Sequence, residues 1–459
     1  MSTTTAGRTG APAPGPEQDP AHPGPAPHAR GHLGWILVGA GATAVVGAAV
    51  LAIAPFVPAT ESGVTGGVLA GFALGWGLLA LLSMRFTDRP QGWAIAPALV
   101  LGVGGLLLMV LGAPAHRVID WVWPPAVLAL AGWIVIAVHR QRGRLLRWSL
   151  YPVAVLMLLA SIGGGVETVA EAADAQAHPA PGRLIEVGGH RLHLRCMGAG
   201  SPTVVIETGG GDMSSNLGWI LPAVARHTRV CGYDRAGRGW SDTTVAPTHG
   251  MRIATDLHTL LVRGGVPGPY VLAGHSFGGL YVLTFAHRYP SEVAGMVLVD
   301  STMPKASARG GGAPDLVHRI TALLANTGRL GLLRVVAPLS AGGQPPGWGD
   351  EVTANLSRAA TLESNLDEFL DSDDSIHAAA ELRSLGDKPL SVLTAGSGND
   401  AAWTAKQNRL AALSTNSVHR VVPGVVHEDL IASRLGAAAT TRGILEVVAA
   451  VRTPGSRVR

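Results

Sequence analysis

The residue best placed to carry chemistry is Ser276, at the centre of the segment GHSFG at positions 274–278. A strand-like apolar run at 270–273 precedes this segment, and a helix-like run at 280–287 follows it. A serine between a strand and a helix sits on a tight turn, where the flanking glycines let the two elements approach closely. The turn exposes the serine oxygen to a base, so the pattern predicts a nucleophile. The alternative is a glycine-rich turn with an incidental serine.

Two regions of different composition must position this serine. The chain has 459 residues, of which only 14% are charged, and its mean hydropathy is +0.30. Almost all of the excess apolarity lies at 33–166, whereas the remainder has the composition of a soluble domain. The apolar region contains five runs close to the roughly 20 residues that span a bilayer. We therefore predict transmembrane helices at 33–56, 64–83, 93–111, 121–138 and 148–166.

The segments around these spans complete the domain organisation. Residues 1–32 are rich in Pro, Gly and Ala and are predicted to be a disordered tail. An Ala- and Pro-containing linker is predicted at 167–182, and a short C-terminal tail at 452–459. The predicted spans imply a multi-pass protein of the cell membrane with the lipid bilayer as a partner.

Charged residues in the loops predict the orientation. The loops after the second and fourth spans carry several arginines, and the first loop has none. The third loop is ambiguous, with Arg117 against Asp120. The segment after the fifth span carries Glu167, Glu171 and Asp174. By the positive-inside rule the N-terminus is cytoplasmic, and five crossings place the C-terminal domain outside the cytoplasm. The basic loops thus indicate topology, and no pattern typical of nucleic-acid binding is present.

Three glycines of the second span form a smooth stripe. Gly67, Gly71 and Gly75 repeat at every fourth position, which allows another helix to approach closely. The partner is either a neighbouring span, which we favour, or a second copy of the protein in a homo-oligomer.

From residue 183 onward, short apolar strands alternate with helical stretches, as expected for a sheet covered by helices. Three segments have a distinctive sequence: ETGGG at 207–211, YDRAGRGWS at 233–241 and GHSFGG at 274–279. With the order of the strands, they make residues 183–451 resemble the α/β-hydrolase superfamily, in its serine-nucleophile branch. The resemblance implies an eight-stranded, mostly parallel sheet with catalytic groups at the carboxyl ends of the strands. A helical lid would occupy about 303–388.

The resemblance also assigns a base to the serine. In this superfamily the chain order is serine, acid, histidine, so the base lies downstream of Ser276. His427 follows the last predicted strand, where the superfamily places its base, although Val426 stands where a glycine is common. For the acid we favour Asp400, in the loop after the seventh strand. Asp300, at the end of the sixth strand, is the alternative.

Two backbone N–H groups should stabilise the oxyanion that forms when serine attacks a carbonyl. The resemblance assigns one to Phe277 and the other to Gly210, in the glycine turn after the third strand. The 234–241 segment is interpreted as structural, with Arg235 holding the turn after the fourth strand. In the lid, Trp348 and the Leu and Val content suggest an apolar pocket. The lid has an acidic run that we interpret as a solvated helix face, with a metal site as the alternative; its members are Glu363, Asp367, Glu368, Asp371, Asp373 and Asp374.

Cys196 and Cys231 are the only cysteines and fall on the second and fourth strands, which are neighbours in this superfamily. Outside the cytoplasm they could form a disulfide; two buried thiols are the alternative.

These observations predict a membrane-anchored serine hydrolase, of carboxylesterase or lipase type, which acts on a small-molecule acyl substrate. No metal or other cofactor is implied. Epoxide and haloalkane chemistry is disfavoured because those relatives have aspartate where Ser276 stands. Peptidase, thioesterase and acyltransferase chemistries share the triad and stay open. A non-catalytic receptor or transport accessory with a hydrolase-like domain is the alternative from a different class.

Overall fold

The first part of the chain forms a bundle of long apolar helices. The computed structural model describes residues 1–5, 7, 10, 33–140, 144–244, 248–305, 315–453 and 455–459, so most of the predicted tail lies outside the described residues. Among these described residues, five helices are long and apolar enough to cross a membrane, as predicted. They are α1 (Leu33–Ile53), α2 (Glu61–Phe86), α3 (Ile95–Leu111, after a 3-10 turn at Gly92–Ala94), α4 (Ala113–His139) and α5 (Arg144–Ala177).

The glycine stripe of α2 packs against α1. A Cβ atom added to Gly71 would lie 2.1 Å from the backbone nitrogen of Ala48, and one on Gly75 would lie 2.4 Å from the Cβ of Ala44. Only glycine permits this separation of the two backbones, so this face of α2 is occupied by its neighbour within the chain. A homo-oligomer contact through the spans stays a prediction.

The second part is one eight-stranded sheet in the order β1-β2-β4-β3-β5-β6-β7-β8. β1 and β2 pair antiparallel, β2 pairs antiparallel with β4, and every other pairing is parallel. This architecture confirms the predicted fold class. The strands are β1 (Arg183–Glu186), β2 (Arg191–Met197), β3 (Thr203–Glu207), β4 (Val230–Tyr233), β5 (Tyr270–His275), β6 (Val293–Val299), β7 (Leu390–Ala395) and β8 (Ser417–Val422).

Helices cover both faces of the sheet and bury its central strands. Every residue of β3, β4 and β5 is buried, as expected for parallel strands with helices on either side. Two apolar cores result, one on each face. The helices outside the lid are α6 (Ile220–Ala225), α7 (Gly250–Arg263), α8 (Gly278–Arg288), α14 (Ala401–Ala411), α15 (Asp429–Ala432) and α16 (Arg434–Arg452).

The described residues between β6 and β7 form five helices, which make up the lid. They are α9 (Asp315–Arg329), α10 (Leu333–Ser340), α11 (Trp348–Leu356), α12 (Ala359–Leu370) and α13 (Ser372–Ala379). The glycines at 310–312 lie outside the described residues. The side chain of Trp348 packs on Gly218, and the guanidinium of Arg195 lies 3.5 Å from the centroid of its ring. The apolar pocket suggested for the lid stays a prediction.

A disulfide joins β2 to β4. Cys196 and Cys231 are directly opposite each other in the antiparallel register, with their Cα atoms 4.1 Å apart, and the structure connects their sulfur atoms. The bond fastens the antiparallel edge of the sheet to its parallel centre.

Candidate active site

Ser276 occupies the sharp turn between β5 and α8. Its φ of +53° lies in the left-handed region, which residues other than glycine rarely adopt. Backbone hydrogen bonds hold this conformation: the Ser276 N–H donates to Val299 O (3.1 Å), and Ser276 O accepts from the N–H of Thr302 (3.0 Å). A Cβ atom on Gly278 would lie 2.4 Å from Glu207 O, so glycine is required next to the serine. The turn has the strained geometry that the GHSFG pattern predicts.

His427 lies beside this turn and is hydrogen-bonded to Asp300. The distance from His427 Nδ1 to Asp300 Oδ2 is 2.6 Å, and the Asp300 side chain is fully buried. The His427 ring centroid is 4.7 Å from that of His275, the residue that precedes the serine. The loops after β5, β6 and β8 thus bring a hydroxyl, a carboxylate and an imidazole to the same edge of the sheet.

Further donors surround Asp300 and fix its orientation. Trp403 Nε1 donates to Asp300 Oδ1 at 2.7 Å, and Asn399 Nδ2 lies 3.2 Å from Oδ2. Burial raises the pKa of Asp300, but the hydrogen bonds from His427 and Trp403 outweigh it and hold the pKa below its ordinary value. The residue also has a φ of +45°. A carboxylate kept ionised in a strained turn against a histidine is typical of catalytic machinery.

The contact with Asp300 shifts the pKa of His427 in the opposite direction. Burial lowers the pKa of His427, but the hydrogen bond to Asp300 and its negative charge raise it above the ordinary histidine value. With Nδ1–H donated to Asp300, the neutral ring keeps its lone pair on Nε2. That nitrogen is the one available to accept a proton.

The structure does not support Asp400 as the partner of His427. Asp400 is exposed and caps α14, where its Oδ1 accepts from the N–H of Trp403 at 2.7 Å. The sequence itself indicated this capping role, because an aspartate directly before a helix-like run is a common N-cap. Asp300 makes the contact instead, since β6 ends beside the last loop. The interpretation of Asp400 as the acid was therefore wrong in its geometry.

Phe277 and Gly210, the predicted oxyanion donors, meet at the mouth of the site. A Cβ atom on Gly210 would lie 3.2 Å from the Phe277 ring and 3.4 Å from the Phe369 ring of the lid. Within the described part of the chain, neither backbone N–H has a hydrogen-bond acceptor. Both donors are thus available to a substrate oxygen.

Arg235 holds the turn that contains Gly210. Its guanidinium donates to Glu207 Oε1 (2.5 Å), Thr208 O (3.0 Å) and Gly209 O (2.6 Å). The structural role predicted for this arginine is correct in kind, but the turn it holds follows β3 and not β4.

Glu368 of α12 is a supporting residue that the sequence analysis missed. It is buried, is paired with Arg238 and Arg235, accepts from the Tyr281 hydroxyl at 2.6 Å and lies 3.4 Å from the Gly211 N–H. The prediction of a solvated acidic face was wrong at this position, because Glu368 is buried against two arginines. These arginines lie in the loop after β4, 130 and 133 residues earlier in the chain. No local pattern connects them.

The neighbouring carboxylates line a polar cavity of about 250 Å³ between the lid, residues 59–60 and the loop after β4. Glu363, Asp367, Asp371 and His318 face it. Burial and the nearby charge of Glu61 raise the pKa of Glu363 to about 7. Ser276 is not among the residues that line this cavity, so the cavity is separate from the proposed nucleophile.

One group near the serine has the composition of a cation site. Ligand atoms of Asp212, His275 and Glu428 lie within 4.8 Å of one another. His275 Nε2 is 3.3 Å from the His427 carbonyl, and its Nδ1 is 3.7 Å from Asp212 Oδ2. His275 Nδ1 is buried without a hydrogen-bond partner among the described residues, and a divalent cation between it and the carboxylates would fit this group.

Comparison with known proteins supports the fold. Residues 202–318 match a family model described as the alpha/beta hydrolase fold. An uncharacterised protein of Schizosaccharomyces pombe is 28% identical over 373 residues, which is 71% of this chain and 66% of that protein. A 2-hydroxy-6-oxo-2,4-heptadienoate hydrolase of Pseudomonas putida is 30% identical over 26% of this chain and 44% of its own length.

Two further matches are a curated relative and a solved structure. A probable transporter of Hormonema carpetanum is 34% identical over 26% of this chain and 18% of that protein. Among solved structures, an enol-lactonase of Burkholderia xenovorans is covered completely by 58% of this chain, at 18% identity and a TM-score of 0.45. The matches span less than two thirds of the length of the first relatives.

Proposed function

We propose that this chain, a membrane protein with an α/β-hydrolase fold, is a serine hydrolase that cleaves a carboxylic ester or related acyl substrate. The observation that carries the proposal is the 2.6 Å hydrogen bond between His427 and buried Asp300, beside the strained turn of Ser276. The hydrolase names among its relatives agree with the class of reaction.

In this mechanism His427 Nε2 accepts the proton of the Ser276 hydroxyl as the oxygen attacks the substrate carbonyl. Asp300 keeps the proton on Nδ1 and stabilises the imidazolium that results. The N–H groups of Phe277 and Gly210 bind the oxyanion, and each such donor contributes about 10²-fold or more to the rate. His427 then protonates the leaving alcohol, and water, activated by the same nitrogen, hydrolyses the acyl-enzyme.

A fluorophosphonate probe tests this proposal. We expect the full-length protein in detergent to be labelled covalently, and Ser276→Ala and His427→Ala to lose the label and p-nitrophenyl ester hydrolysis. Ser241→Ala is the control, because Ser241 is a buried serine whose hydroxyl donates to the carbonyl of Asp234, outside the proposed triad. Absence of label on the folded wild-type protein would favour the non-catalytic alternative, which the transporter-named relative represents.

We further propose that the hydrolase domain lies outside the cytoplasm, at the cell membrane. Two observations support this orientation. Arg85, in the last turn of α2, and Arg89, in the loop between α2 and α3, lie at the end of the bundle opposite the hydrolase domain. The Cys196–Cys231 disulfide suits an oxidising compartment.

A reporter that is active only outside the cytoplasm, fused after Arg459, tests the orientation. We expect activity from this fusion and none from a fusion within 141–143. The reverse pattern would place the hydrolase in the cytoplasm.

A further inference from the structure

Two lid helices present an apolar face that no part of the described protein covers. On α9, Leu316, Ile320, Leu323 and Leu324 are 38–52% exposed, and their spacing of three and four residues puts them on one side of the helix. On α10, the exposed apolar residues are Val335 (77%), Val336 (51%) and Leu339 (82%). The two helices meet at an angle of 89° and together are as apolar as a membrane segment. An apolar surface of this kind marks an interaction site.

The other sides of the same helices are fastened to the ends of the transmembrane helices. Arg319 of α9 donates to the carbonyl oxygens of Ala52 (3.0 Å) and Val57 (2.9 Å), at the end of α1. Arg329 is paired with Glu61, the first residue of α2, and with Asp120 of α4 (2.6 Å).

The helix that follows is fastened to the last span. Arg334 of α10 is paired with Glu167 and Asp174 of α5, each at 2.8 Å. Ion pairs to α2, α4 and α5, together with the hydrogen bonds to the end of α1, therefore fix the height of α9 and α10 relative to the bilayer.

The contacts place this height within the apolar region. The turn between α9 and α10 packs directly on Gly163, where an added Cβ atom would lie 2.5 Å from Leu330 O. Gly163 lies one helical turn on the bilayer side of Glu167. Ala322 of α9 is buried against Ala52 and Val64 of the spans. The apolar face of the lid is thus continuous in height with the lipid-facing surface of the bundle, where Ile162 and Val166 of α5 are exposed.

A single lid helix connects this boundary to the active site. On α12, Glu363 accepts a hydrogen bond from the N–H of Glu61 at 2.8 Å, at the beginning of α2. Six residues later on the same helix, Phe369 is 55% exposed with its ring 5.4 Å from that of Phe277. Six residues of α-helix rise about 9 Å. The pair Phe277 and Phe369, beside the oxyanion donors, therefore lies about 9 Å along α12 from the contact with the beginning of α2.

We propose that α9 and α10 insert their apolar face into the leaflet next to the hydrolase domain, and that the substrate is an acyl lipid of that leaflet. Lipid chains are the occupant that these observations favour, because the face continues the lipid-exposed surface of the spans. The choice of substrate rests on the proposed serine hydrolase function, whereas the insertion does not.

Depth-dependent quenching tests the insertion without any requirement for activity. Both native cysteines are joined in the disulfide, so Leu339→Cys provides one site for an environment-sensitive fluorophore in the full-length protein reconstituted into phosphatidylcholine vesicles. We expect strong quenching by lipids with a nitroxide on the upper acyl chain. Val262→Cys, on α7 and 60% exposed, is the matched control and should not be quenched. Equal, weak quenching at the two sites would overturn the insertion.

Hydrolysis tests the substrate. For the double variant Val335→Glu/Leu339→Glu we expect hydrolysis of a long-chain fluorogenic acyl lipid in the vesicles to fall about tenfold or more, because charged side chains are costly in the acyl region. Hydrolysis of p-nitrophenyl acetate and fluorophosphonate labelling should stay at the wild-type level, as should all activities of Val262→Glu. Equal rates on the vesicle lipid in variant and wild type would overturn the lipid substrate.

The two failures remain distinguishable. If the wild-type protein shows neither fluorophosphonate labelling nor hydrolysis of soluble esters, the proposed function is contradicted. Quenching at position 339 would still support insertion in that case. A double variant that no longer reacts with the probe has lost its fold; Val335→Ser/Leu339→Ser then replaces it, with the same expected direction.

Discussion

Asp300→Asn is expected to lower kcat for ester hydrolysis about 10⁴-fold, while the protein stays folded. The amide has nearly the shape of the carboxylate and can take two orientations. In the first, its NH₂ group faces His427 Nδ1. In the second, its oxygen faces Nδ1 but lacks the negative charge that stabilises the imidazolium. The first case favours the tautomer with the proton on Nε2, which cannot accept the serine proton. Steady-state kinetics on a p-nitrophenyl ester measure the loss.

Asp400→Asn is the matched control, because asparagine is as good an N-cap as aspartate and Asp400 is exposed. It should retain nearly full kcat. Wild-type activity in Asp300→Asn together with a large loss in Asp400→Asn would contradict the acid assigned by the structure.

The pH profile gives a second measure of the same pair. His427 must be neutral to act as a base, so kcat/KM falls as the pH drops through the pKa of His427. Because Asp300 raises this pKa, the acidic limb of the wild-type profile should lie above the pH expected for an ordinary histidine, about 6.5. The residual activity of Asp300→Asn should show this limb at lower pH.

Glu368→Ala is expected to destabilise the hydrolase domain by about 3–5 kcal/mol, because it leaves the buried guanidinium of Arg238 without its carboxylate partner. The same change removes the acceptor for Tyr281 and the contact to Gly211, so the oxyanion turn loses support. Thermal inactivation of the full-length protein in detergent should show a midpoint about 10 °C lower.

Asp373→Ala is the control for this change, since Asp373 belongs to the same acidic run but is exposed. Its midpoint should differ little from that of the wild type. Equal, small shifts in both variants would show that Glu368 is not a buried ion-pair partner and would remove the proposed connection between the lid and the oxyanion turn.

The sequence alone determined the features that rest on local patterns. Uninterrupted apolar runs of bilayer length predicted the five spans, and the strand–GHSFG–helix pattern predicted the turn at Ser276. Each of these signals lies within about 25 neighbouring residues and reflects a local requirement: an apolar solvent for the spans, or a backbone conformation that glycine makes possible.

Only the tertiary structure decided which carboxylate meets His427, what Glu368 does and where the lid lies. Asp300 and Asp400 both follow apolar strands, and the resemblance favoured Asp400 because it lies in the loop after the seventh strand. In the structure Asp300, at the end of the sixth strand, contacts His427. The choice depends on the order β6-β7-β8 and on which carboxylate the capping of α14 already uses. The pairing of Arg329 with Glu61 joins residues 268 positions apart. Such contacts form because distant chain segments must satisfy buried charges, and no local periodicity records which segments they are.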